Sequence, residues 1–129
     1  MYLDNERSAL VTIGGREYSM VLTTKATRLI AARYGGLDKL GDKLMKSENA
    51  AQSLEEVVWI VTLLCNQGIQ IHNLRCPDEK QPELSEDEVE LLTTPLELAS
   101  LKDAIMEAME KGTKRNVESE PDTKNITAG

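Results

Sequence analysis

Phenylalanine is absent from this chain of 129 residues, and one Trp and three Tyr are its only aromatic side chains. A core of ordinary size must therefore be built from Leu, Ile, Val, Ala and Met, and the length suffices to bury one without disulfides or metal. Cysteine is nearly as scarce: Cys65 and Cys76 are the only two, which excludes a disulfide framework. No apolar run reaches membrane-spanning length, and the opening MYLDNERS lacks the apolar centre of a secretory leader. The expectation is a protein of a reducing cytosol with two free thiols and no membrane partner. A basic surplus is missing too. The formal charge of −7 argues against general nucleic-acid binding, which draws its affinity from neutralised phosphates.

That charge is unevenly distributed. From Arg16 to Lys46 seven bases face three acids, whereas from Asp78 to Glu110 the only bases are Lys80 and Lys102. Such asymmetry suits either partner steering or two oppositely solvated faces.

The stretch VTIGGREYSM predicts a β-hairpin over residues 9–22. A two-residue Gly14-Gly15 turn sets Ile13 opposite Arg16, Val11 opposite Tyr18 and Ala9 opposite Met20. One face then carries Ala9, Val11, Ile13, Tyr18, Met20 and Leu22; Leu10 and Val21 are apolar exceptions on the other. A lone hairpin is marginal, so this face must lie on helices. Thr23-Thr24 caps a helix over 25–34 with Ala26, Leu29 and Ile30 inward, and Gly35-Gly36 closes it. LDKLGDKLMK is a short amphipathic helix over 37–46, weakened by Gly41.

Ser53-Leu54-Glu55-Glu56 reads as a capping box opening a buried helix over 54–67 or longer. Its VVWIVTLLC core would also suit a strand, but the cap and the length select a helix that ends by Arg75, before Pro77. CPDEKQPEL is a loop. Ser85-Glu86-Asp87-Glu88 opens a helix over 86–92, and Thr94-Pro95-Leu96-Glu97 opens another over 95–111. The last carries Leu98, Leu101, Ile105 and Ala108 on one stripe and is expected to stop at Gly112, leaving 113–129 as a disordered polar tail. The fold class is α+β, mostly α: one compact domain over 1–112, a hairpin on four to five helices.

Chemistry is sparse in this pattern. Neither glycine pair completes a phosphate-binding motif, because neither a P-loop nor a Gly-x-Gly-x-x-Gly pattern occurs. Cys65, His72, Cys76 and Asp78 lack the close spacing of zinc ligands, and no nucleophile has a base and an orienting group beside it. No catalytic residue, metal or cofactor is assigned, and the chain is read as a non-enzyme. ATRLIAARYGGLDKLGDKL imitates a helix-turn-helix, which keeps a small DNA-binding regulator as the alternative. Its second helix offers Lys39, Lys43 and two aspartates where base reading favours Asn, Gln or Arg.

In order, the chain shows V-x-I-G-G-R-x-Y, then a helix ending R-Y-G-G-L-D-K-L, then W-I-V-x-L-L-x-N-Q-G, an acidic loop and a Thr-Pro-capped helix. This series resembles the small tail assembly chaperones of long-tailed phages and prophages, especially those of Gram-positive hosts, over about residues 10–112. Its two cysteines and long polar tail depart from that pattern. The resemblance implies a chaperone that binds the tape measure protein and recruits major tail protein during tail assembly. It implies action in the host cytoplasm, absence from the finished virion, and in many relatives a longer frameshifted form. On that reading Met106 and Met109 would present an adaptable apolar surface, with the filling of core gaps left by the missing aromatics as the equal alternative, and Arg28, Arg33 and Lys39 a basic patch for acidic partner segments. Self-association stays open.

Overall fold

The computed structural model describes residues 7–46 and 50–128, with side chains for 7–44 and 51–113. Two strands, β1 (Ser8–Ile13) and β2 (Arg16–Val21), precede α1 (Thr24–Tyr34), α2 (Leu37–Lys46), α3 (Ala50–Arg75), α4 (Glu86–Leu92) and α5 (Pro95–Ala128), with a 3-10 turn at Pro77–Glu79. The fold is α+β and mostly α, as expected.

The hairpin has the predicted register, with Ala9 opposite Met20, Val11 opposite Tyr18 and Ile13 opposite Arg16. Gly14 and Gly15 turn the chain at φ of 60° and 81°, the paired positive angles that a primed turn demands. Ala9, Val11, Ile13 and Met20 are buried. So are Ser8 and Val21 on the other face, whereas Leu10 stays half exposed. The end of the hairpin away from the turn is therefore covered on both sides.

The covering helix is α3, which packs on β2, α2, α4 and α5. Val57, Val58, Ile60, Val61, Leu64 and Cys65 of α3 lie in one aliphatic core with Met20, Ile30, Leu40, Val89 and Ile105. Gly68 explains how strand and helix approach so closely. A Cβ there would sit 2.2 Å from the Ser19 carbonyl oxygen, so only glycine admits the crossing.

The caps hold where their donors are local. The Thr23 hydroxyl accepts from Ala26 N–H at 2.9 Å, and Gly35 closes α1 at φ 98°. Ser85 with Glu88 and Thr94 with Glu97 form reciprocal capping boxes. Two boundaries differ from expectation. Helix α3 begins at Ala50, so Ser53–Glu56 lies inside it. Glu56 does not cap: it is buried, accepts the Tyr34 hydroxyl and lies 3.8 Å from Arg33. Helix α5 does not stop at Gly112, and residues 113–128, expected as a disordered tail, continue its backbone. A Cβ on Gly112 would come within 2.8 Å of Leu22 Cβ, so this glycine makes room for the hairpin and does not end a helix.

The loop between α3 and α4 runs back along α3 under two asparagine clasps. Asn66 accepts from Leu84 N–H at 2.7 Å and donates to its carbonyl at 2.8 Å. Asn73 makes the same pair with Gln81, at 2.8 and 3.0 Å. Seven residues is two turns, so both amides lie on one face of the helix. Each imitates a strand neighbour for a segment that has none.

Candidate functional site

The three bases expected to form one patch are all exposed but do not share one set of partners. Arg28 and Arg33 are five residues apart on α1, which separates them by about 140° around the helix axis. Arg28 lines a cleft of about 630 Å³ together with Arg7, Thr23, Thr24, Thr27 and Gly112. Two of those threonines are engaged within the fold. Thr23 donates to Gln67 Oε1 at 2.5 Å, and Thr27 donates to the Thr23 carbonyl at 2.8 Å.

Arg33 belongs to a different cluster. Its guanidinium lies 4.5 Å from the Trp59 ring centre and 5.5 Å from that of Tyr34, within cation–π range of both. The two rings meet edge to face at 5.7 Å. Arg33 Nε also donates to the Tyr34 hydroxyl at 3.2 Å, while that hydroxyl donates to Glu56. This node ties the end of α1 to α3, and Arg33 serves it as a structural cation. Lys39 is exposed on α2 next to the Gly35 turn.

The methionine pair divides in the same way. Met109 is buried in the core and offers no surface, whereas Met106 is 37% exposed on α5. Three positions separate them. That spacing places them side by side, and the core boundary passes between them.

The cysteines and His72 also have definite places. Cys65 is buried, and burial pushes its thiol up to about 12. It therefore holds its proton at neutral pH, and a protonated thiol is a poor nucleophile and metal ligand. His72 Nε2 lies 2.8 Å from the Glu79 carbonyl oxygen, fastening the 3-10 turn. Among the described residues no group of three or more His, Cys, Asp or Glu converges on a metal position.

What the sequence reading missed is an apolar surface at the junction of α4 and α5. Leu91 is 84% exposed, Leu96 82% and Leu92 47%. The signal was present. Val89 and Leu98 point inward, and a residue two positions from either is turned by about 200° around its helix. Leu91 and Leu96 occupy those positions and must face outward. Leu92 adjoins the hairpin turn, since a Cβ on Gly14 would meet its side chain at 3.1 Å.

No protein-family model, curated protein or solved structure matches the chain. No helix among the described residues is long and apolar enough to cross a membrane.

Proposed function

We propose that the chain is a non-catalytic interaction protein, a tail assembly chaperone of a long-tailed phage or prophage. It binds the tape measure protein in the host cytoplasm, keeps it soluble, and helps to recruit major tail protein as the tube grows. It is then released and is absent from the virion. The observation that carries this reading is the order and punctuation of the elements. A Gly-Gly hairpin leads to a helix closed at Gly35, then to a long apolar helix containing Trp59 and Gly68, and finally to two capped helices. That is the series on which the resemblance rests.

The test is co-expression with a tape measure protein encoded beside this reading frame. The expected result is a larger soluble fraction of that protein and co-purification of the two. Failure of both, together with salt-sensitive retention of the chain on duplex DNA, would replace the chaperone reading with the DNA-binding one.

A further inference from the structure

The junction of α4 and α5 has a composition that the fold itself does not require. Leu91, Leu92 and Leu96 lie within six residues of chain, and two of them are almost wholly exposed. Removing such leucines from water stabilises a complex by roughly 25 cal/mol per Å² of apolar surface covered. Leu91 and Leu96 add nothing to the core, because Val89 and Leu98 already anchor the two helices, whereas Leu92 is half exposed and rests against the Gly14 turn. Among the described residues, the other exposed large apolar side chains are on separate elements or farther along the same one: Leu10 on β1, Leu74 near the end of α3 and Met106 on α5.

The surroundings select the partner by charge. Residues 81–101 contain Glu83, Glu86, Asp87, Glu88, Glu90 and Glu97 and no Lys or Arg. All six acids are exposed. The next base along the chain, Lys102, is turned away and donates to the Leu44 carbonyl at 3.2 Å. Nucleic acid or an anionic lipid surface would meet these carboxylates unfavourably. So would the same junction of a second copy approaching in a two-fold manner. A protein segment with apolar side chains flanked by Lys or Arg fits both the leucines and the acids.

The junction is also held in shape before any partner arrives. Glu88 and Glu97 bond back to the backbone N–H groups of Ser85 and Thr94, fixing the start of each helix. The Thr93 hydroxyl donates to the Val89 carbonyl at 2.7 Å, at the end of α4. A pre-shaped surface loses little conformational freedom on binding.

We propose that Leu91, Leu92 and Leu96, flanked along the chain by these exposed acids, are the docking surface for a cationic, apolar-faced segment of a partner protein. The proposal rests on reading the chain as an interaction protein and supplies the surface and partner chemistry that reading lacks.

The probe is a synthetic amphipathic helical peptide of Leu and Lys, with a Leu and Glu peptide as its charge-reversed control, titrated by calorimetry into the full chain. The Lys peptide should bind and the Glu peptide should not. The double variant Leu91→Ser/Leu96→Ser should weaken binding by about tenfold or more with an unchanged melting temperature. Leu74→Ser, equally exposed elsewhere, should leave binding unchanged. Glu83→Lys/Glu90→Lys should weaken it and flatten its salt dependence. Equal loss from Leu74→Ser, or no loss from the double variant, overturns the proposal. Self-association abolished by Leu91→Ser/Leu96→Ser, in a chain that ignores the Lys peptide, also overturns it, because the occupant is then a second copy.

The same variant in the tape measure co-expression separates the two ideas. Retained co-purification sinks this surface and leaves the chaperone reading intact. A wild-type chain that binds the Lys peptide through these leucines but never the tape measure protein sinks that reading and leaves the surface.

Discussion

Gly41 and Gly68 both lie inside helices, yet their surroundings assign them opposite roles. A Cβ on Gly41 would have no atom within 4 Å, so this glycine contributes only its backbone entropy. Gly41→Ala should stabilise the protein by about 1 kcal/mol. At Gly68 the neighbour is the backbone oxygen of Ser19, which cannot rotate away as a side-chain tip would. Gly68→Ala should cost about 3 kcal/mol or more through forced separation of α3 and β2. Urea unfolding of both variants reads the two signs directly; equal effects would mean that the crossing is looser than described. Cys65 gives a second residue-scale expectation. Its pKa is raised by burial from 9.0 to about 12, so above pH 9 the unfolded chain releases a proton that the native state retains. The resulting stability is fully present below pH 9 and declines as pH rises toward 12. Urea midpoints at pH 7.5 and 10.5 should therefore fall further in the wild type than in Cys65→Ala. An equal fall in both would remove Cys65 from the pH response.

Among the elements, the loop between α3 and α4 depends most on single side chains. It carries Pro77 and Pro82 and forms no sheet, so its backbone groups need partners from elsewhere. Asn66 and Asn73 supply them, but at different depths. Leu84, clasped by Asn66, is buried, whereas Gln81 is exposed. Asn66→Ala would leave both Leu84 backbone groups short of partners and should cost about 1–3 kcal/mol. Asn73→Ala should cost less, because water can replace the amide. Thermal melts of the two variants would expose a reversed order. The capping boxes at Ser85 and Thr94 were legible in advance, since donor and acceptor lie three residues apart. Ser53 had the same spacing and failed as a helix start, because Glu56 is drawn to Tyr34 and Arg33 of another helix.

The whole molecule combines an aliphatic core with a surface whose charge changes sign along the chain. Arg28, Arg33 and Lys39 were expected to form one patch. Folding sends Arg28 to a cleft and Arg33 onto Trp59. Sequence by itself determined the hairpin and its register, the Gly35 stop and the two capped helices, because each depends on residues only a few positions apart. It also carried, unnoticed, the outward phase of Leu91 and Leu96, which follows from Val89 and Leu98 pointing inward. Tertiary structure decided what depends on distant neighbours. Gly112 reads as a helix stop and Gly68 as a residue without a role until Leu22 and Ser19 appear against them. Met109 reads like Met106 until one of the two enters the core. Local spacing sets the conformation of a segment, but only the packed neighbour settles whether a side chain is available to a partner.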